Sequence, residues 1–319
     1  MIQEREDFWV LDSTKIQEYM QCPRRYFFKF IVGWQPELPS VHLEYGIAVH
    51  KALEILLLGG GFDTAFEAFE TSFRDRYVSI CGDEHKNKNI ATTYYTLLQY
   101  SEFYKNDLQH FKVLHTEVAG SILIDVNKKL YFRTDTLAEG NIMEQNGFFS
   151  LEHKTGTSLD RKWKDQWRQK FQVGVYTHVV NCMYPTNEAL GVVINGFFPH
   201  NPPEMKRDGT PKANSKDAEF FRMLVRRTPR RMEDWILGAI SWYDSVIKDT
   251  EAVLQVSEDQ PVMTCFRKNT ESCTDFFGCP FQDYCEAWSN PTRNTAAQTG
   301  FVERYWDPRA VEKKEEVNL

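Results

Sequence analysis

The sequence predicts an α/β fold: a mixed central sheet flanked by helices, with a helical N-terminal insertion and a C-terminal cysteine clasp. Three observations carry this. Residues 1–111 hold apolar positions at helical spacing. Residues 112–260 alternate strand-length apolar runs with helical stretches. Cys273, Cys279 and Cys285 then recur with five residues between each pair. The expected units are a helical region over 1–111, a core over 112–260, a cysteine-rich segment over 261–290 and a charged tail over 291–319.

The elements follow in order. Thr14 and Gln17 suit a capping box at a helix start, and Ile16, Tyr19 and Met20 give helical spacing after it. Cys22-Pro23 interrupts, and Tyr26, Phe27 and Phe30 resume an apolar face. A second helix opens near Gly46 and carries His50, Leu53, Glu54 and Leu57; Phe62, Phe66, Phe69 and Phe73 mark a third, and a fourth spans about Ile90 to Phe111. This helical region reads as an appendage or lid placed before the sheet. Strands are expected over His115–Val126, Leu130–Leu137 and Gly147–His153, with a tight turn at Asn127-Lys128. A helix over about Asp165 to Cys182 precedes a buried strand over Leu190–Phe198. An exposed loop over 200–217, an edge strand over Phe220–Val225 and a long helix over Met232–Leu254 complete the core, and the tail from Asp307 to Leu319 reads as mobile.

Bulk properties narrow the function classes. A chain of 319 residues fits one elaborated α/β core, and 14% aromatic residues supply a sizeable interior. A net charge of −7 excludes coating nucleic acid through global charge, but leaves room for a local basic groove. No apolar run approaches the roughly 18 residues of a membrane span. The acidic start, Met1 to Asp7, lacks the apolar stretch of a signal peptide. With an odd count of 7 cysteines, a cytoplasmic, reducing setting is expected, where clustered thiols hold metal more often than they pair.

The chemistry concentrates in Thr134-Asp135 and Glu152-His153-Lys154. Strand side chains alternate faces, so Glu152 and Lys154 point to one side, where Asp135 on the neighbouring strand meets them. Two carboxylates and an ammonium at one spot make sense around a divalent cation, which points to metal-assisted phosphodiester hydrolysis. Asp135 and Glu152 offer oxygens for Mg²⁺, the main-chain carbonyl of His153 is a third donor, and Lys154 would stabilise charge on the phosphoryl group. His50 would add a nitrogen ligand and favour Mn²⁺, with Glu54 one turn on to orient it. Gln172 and Tyr176 lie four apart on one helix face and would present polar heads to a phosphate or to Lys154; the competing reading makes Tyr176 a core residue.

Three late cysteines need a fourth for a tetrahedral site, which would hold zinc or an iron–sulfur cluster. Cys22 is one candidate and would clasp the two ends of the chain; Cys265 is the other and would give a local site. Arg161, Lys162, Lys164 and Arg168, interleaved with Trp163 and Trp167, suit DNA: cations grip phosphates and indoles stack on bases. Arg222, Arg226, Arg227, Arg230 and Arg231 form a second basic set.

Taken together, Ser13 to Tyr26 with Cys22-Pro23, Gly46 to His50, Thr134-Asp135, Glu152-His153-Lys154, Gln172 with Tyr176 and the late cysteines resemble the RecB-like branch of the PD-(D/E)XK nucleases. CRISPR-adaptation exonucleases, AddB-type nuclease domains and phage-encoded homologues are similar. The resemblance implies a restriction-endonuclease-like core and a DNA exonuclease of recombination, repair or replication. It implies Asp135, Glu152 and His50 on Mg²⁺ or Mn²⁺, Lys154 as catalytic, and Gln172 and Tyr176 positioning DNA or Lys154. It implies a [4Fe–4S] cluster on Cys22, Cys273, Cys279 and Cys285, with Zn²⁺ the alternative. It also implies work beside a single-strand annealing protein or helicase, in a prokaryotic or phage setting. Thr134 stands in place of the nominal proline, and the gap from Asp135 to Glu152 predicts an enlarged hairpin loop around Gly140 to Gly147. No GxxxxGK[ST] loop is present, which excludes a fused helicase. The alternative function is a catalytically silent DNA-end-binding or scaffold subunit.

Overall fold

The structure, a computed structural model, describes residues 2–185, 187–201, 207, 217–275, 278–310 and 315–319. Its first part holds α1 (Ser13–Gln21), α2 (Pro23–Tyr26), α3 (Val41–Leu57), α4 (Phe62–Phe73), α5 (Ser79–Cys81), α6 (Ile90–Phe103) and α7 (Asp107–His110). The first helix is capped by Asp12, whose side chain accepts from the Lys15 N–H, and not by Thr14; Gln17 reaches back to the Ser13 carbonyl instead of closing a box.

Between α2 and α3 lies β1 (Trp34–Pro36), and the main sheet then forms from β2 (Phe111–Asp125), β3 (Lys128–Ile142), β4 (Gln145–Thr155), β5 (Ala189–Phe198) and β6 (Glu219–Val225). Helices α8 (Arg161–Asp165) and α9 (Phe171–Met183) make the crossover from β4 to its parallel neighbour β5, as a parallel pair requires. After α10 (Pro229–Val253) and α11 (Gln282–Ala287) come β7 (Phe301–Glu303), paired with β1, and β8 (Glu315–Asn318). The six-stranded sheet runs β6-β5-β4-β3-β2-β8 and is mixed, with β4/β5 and β2/β8 parallel. It is a restriction-endonuclease-like arrangement, a mixed sheet between helical layers.

Several expectations change. The first part of the region before the sheet, residues 8–28, is no appendage, whereas α3, α4 and α6 pack mainly on one another in a second cluster that Phe197 of β5 joins. Phe8, Leu11, Ile16, Tyr26 and Phe28 share one buried cluster with Leu137 of β3, Val175 of α9 and Val246 of α10. The hairpin between Asp135 and Glu152 has no enlarged loop: β3 and β4 stay paired to Ile142↔Gln145, and Met143-Glu144 close them with φ of 52° and 65°. Two successive positive φ values match the right-handed strand twist, so the extra residues lengthen the strands. The chain end is not loose either, since β8 adds to the outer edge of β2. Most of the loop expected over 200–217 lies outside the described residues. Among the described residues, no helix is long and apolar enough to cross a membrane.

Candidate active site

The site lies where β3 and β4 part. Their last paired residues are Thr136 and Leu151, and Asp135 and Glu152 come next on each strand. There side chains take over from the ladder. The Asp135 N–H donates to Glu152 Oε1 at 3.3 Å, and the His153 N–H donates to Asp135 Oδ2 at 2.8 Å. Ser150 Oγ donates to the same Glu152 Oε1 at 2.9 Å. Strand alternation puts Glu152 and Lys154 on one face, with Lys154 Nζ 3.6 Å from Glu152 Oε2.

Burial sets the electrostatics. Glu152 is 1% exposed, and desolvation together with the Asp135 charge pushes its carboxyl up to about 8. Burial works against Asp135 too, but His50 and Lys154 outweigh it and hold that carboxyl well below the usual range. The His50 Nδ1 stands 3.3 Å from Asp135 Oδ1. Burial disfavours the charged imidazole, yet the Asp135 partnership raises His50 overall. The site thus holds one firmly ionised acid and one that gives up its proton reluctantly, an arrangement that a bound cation would relieve.

His153 divides its roles. Its main chain faces Asp135, while its ring lies on the opposite face, where the Nδ1 meets Asn195 Nδ2 at 2.8 Å. Burial pushes that imidazole down to about 3, so it is neutral. Gln172 and Tyr176 come from α9. Gln172 Nε2 donates to the Tyr176 hydroxyl at 2.9 Å, which donates to the Arg133 carbonyl at 2.7 Å. The pair is therefore tied to the strand that carries Asp135. Tyr176 is buried, and both residues still line the cleft.

That cleft has a volume of about 400 Å³. Its lining includes Gly46, His50 and Glu54 of α3, Asp12 and Tyr131, together with Asp135, Glu152 and Lys154. Several lining residues escaped the sequence reading, Glu117 and Trp306 among them. Glu117, on β2, takes a φ of 51° and pairs with Arg133 Nε at 3.4 Å. Nothing in its surroundings in the sequence marks it, because it sits within an ordinary strand pattern. Trp306 reaches the cleft from the segment taken for a tail.

The DNA-binding set is brought together only in part. Trp163 and Trp167 are buried and pack edge-on against each other at 5.4 Å, with Trp163 also on Phe198, so these indoles have no open face for a base. Their helical spacing marked core, not a surface. Trp167 instead lies under the lysine, with Lys154 Nζ 5.9 Å from its ring centre. Arg161, Lys164 and Arg168 line a separate groove of about 690 Å³ with Arg226. Arg222 of the second basic set has a side chain only 8% exposed and is ion-paired with Asp107 at 2.6 Å.

Cys22, Cys273, Cys279 and Cys285 all line one cavity of about 120 Å³, alongside Arg24, Arg25 and Lys268. Burial raises the Cys279 and Cys285 thiols. Cys265 is buried elsewhere and is not among that lining. Four sulfur donors with cationic neighbours suit a group that takes thiolates. Among the described residues, no three His, Cys, Asp or Glu side chains form a ready-made metal-binding group, here or in the cleft.

Fold and site together define a nuclease: an acid and an acid-X-lysine on adjacent strands of a mixed sheet, open to a cleft. The chain belongs to the PD-(D/E)XK nuclease superfamily, whose family model matches residues 13–286. No curated protein matches the chain.

Proposed function

We propose that this protein is a metal-dependent DNA exonuclease of the RecB-like branch, serving recombination, repair or replication in a prokaryotic or phage setting. The observation that carries the reading is the convergence of Asp135, Glu152 and Lys154 on one cleft, with Gln172 and Tyr176 tied to the same strand. Asp135 and Glu152 would hold Mg²⁺ or Mn²⁺, with the His153 carbonyl and His50 as further donors. Oxygen donors and a raised, buried carboxyl suit such a hard cation. When bound, the cation supplies Lewis-acid stabilisation of charge at the phosphoryl group.

The chain's own groups do the rest. Lys154 is fixed between Glu152 and the Trp167 ring, so its ammonium is aimed before DNA arrives and stabilises the charge that builds on the phosphate. Gln172, held by Tyr176, positions the strand or Lys154. A cleft of about 400 Å³ lined by residues of α3, β3 and β4 suits a strand end better than the flank of a long duplex, which supports exonucleolytic action. The Cys22, Cys273, Cys279 and Cys285 cavity would hold a [4Fe–4S] cluster, or Zn²⁺, and fasten the first helices to the 261–290 segment.

Digestion of end-labelled single-stranded and duplex DNA with Mg²⁺ or Mn²⁺, against a chelator control, tests the activity. Metal-dependent release of nucleotides from an end is expected. Retained DNA binding without cleavage under any metal would favour the scaffold reading.

A further inference from the structure

The cleft carries an aromatic group that hydrolysis does not need. Trp306 is 38% exposed, lines the same cleft as Glu152 and Lys154, and comes from a segment far from both in sequence. Its indole N–H is already used, donating to Asp12 Oδ2 at 3.0 Å. What remains open is apolar ring.

That ring is held in place from several directions. Asp12 is itself fixed, since its other oxygen accepts from the Lys15 N–H at 2.7 Å and its backbone bridges to Tyr131. The residues before Trp306 are pinned as well. The Arg304 N–H donates to the Gly33 carbonyl at 2.8 Å, and Tyr305 lies beneath the Arg5 guanidinium at 3.5 Å. Gly33, at a φ of 85°, leaves the room that the Tyr305 ring fills; a Cβ there would clash with that ring. A preset aromatic plate loses little freedom when it binds.

The surroundings name the ligand. Leu43, 61% exposed, lines the cleft from α3, and Lys51 and Arg133 line it too. An aromatic plate with an exposed apolar neighbour and cations beside it, in the cleft that also holds the acids, matches a strand whose bases are unstacked and whose phosphates need neutralising. In a duplex the base faces are covered by their neighbours.

We propose that Trp306 is a stacking platform for an unpaired nucleobase, so that the DNA strand reaching Glu152 and Lys154 does so single-stranded. This rests on the nuclease reading and adds the form of the substrate.

Fluorescence anisotropy in EDTA tests it on the full chain. The probes are a labelled single strand, the same strand with abasic sites replacing its terminal nucleotides at either end, and the duplex. The wild-type protein should bind the intact strand about ten-fold more tightly than the abasic one. Trp306→Ala should bind both alike, Trp306→Phe should fall between, and duplex binding should not change with either. Equal wild-type affinity for intact and abasic strands would overturn the proposal, as would a folded Trp306→Ala that keeps full affinity for the intact strand. The abasic comparison needs no variant, so a misfolded Trp306→Ala leaves the test intact. Cleavage of DNA by wild type with Mn²⁺ is scored separately. Cleavage without base discrimination sinks only the platform, and discrimination without cleavage sinks only the nuclease reading. A wild-type protein that binds none of the probes contradicts both.

Discussion

Glu152 accepts a hydrogen bond from the main chain of Asp135, and Asp135 accepts one from the main chain of His153, the residue after Glu152. Each acid is thereby oriented by the other's strand. The position of the two carboxylates is set by the strand register and not by free rotation of their side chains. Amide replacements at either position therefore preserve an acceptor and the local shape while removing charge.

The first consequence is a pH dependence of the metal-free protein. The Glu152 carboxyl has an ordinary value of 4.5 and is pushed up to about 8 by burial and by Asp135. Between these values the folded protein holds a proton that the unfolded chain has released. Stability therefore falls as pH rises through that window. The depressed Asp135 contributes fully throughout it and does not oppose the trend. Below about pH 6.5 the neutral, buried His153 pulls the other way, so the fall is clearest from about pH 6.5 to about pH 8, where the raised His50 adds to it; thermal melting in EDTA should show that fall, and Glu152→Gln should reduce it to the His50 part. A slope in Glu152→Gln equal to that of wild type would place the titrating group elsewhere.

Lys154→Ala removes the ammonium aimed at the phosphate. Loss of one such group typically lowers kcat by roughly 10²–10³-fold. Single-turnover cleavage should fall by that order, while circular dichroism and melting stay near wild type. Undiminished cleavage would exclude Lys154 from the chemistry.

Tyr176→Phe deletes the hydroxyl that links Gln172 to the Arg133 carbonyl. A loss of about 1 kcal/mol in denaturant titrations is expected, together with slower cleavage. Slower cleavage with unchanged substrate affinity would place the pair's effect on Lys154; weakened affinity alone would place it on DNA.

At the cysteine cavity, Cys22→Ser should lose the bound iron or zinc measured by elemental analysis after anaerobic purification, while Cys265→Ser keeps it. Visible absorption separates a cluster from zinc. Full metal content in Cys22→Ser would remove Cys22 from the ligand set.

On the basic groove, reversing charge at Lys164 and Arg168 should weaken DNA binding and flatten its dependence on salt, because fewer counterions are released. An unchanged salt titration would confine DNA to the acidic cleft.

Much of this was legible in the sequence because strands write their faces with a period of two. That period put Glu152 beside Lys154, and the unbroken apolar run from Leu190 to Phe198 marked a strand buried on both faces. What was not legible depends on contacts without a local signature. Asp12 displaces Thr14 as the cap because the helix begins at Ser13: Asp12 is the extended residue just before the first turn, and Thr14 already lies inside it. Trp163 and Trp167 looked like a nucleic-acid surface because their neighbours are basic, but both rings are drawn into the core beside Phe198 and Lys154. The bond from Trp306 to Asp12 spans 294 residues, and no pattern near either residue announces it.

The central claim is that Asp135 and Glu152 share one divalent cation. Calorimetric titration of Mn²⁺ into the wild-type protein, Asp135→Asn and Glu152→Gln tests it most directly. Wild type should bind Mn²⁺ in the cleft, and either amide variant should lose that binding and DNA cleavage together. Mn²⁺ binding and cleavage that survive in both variants would contradict the account.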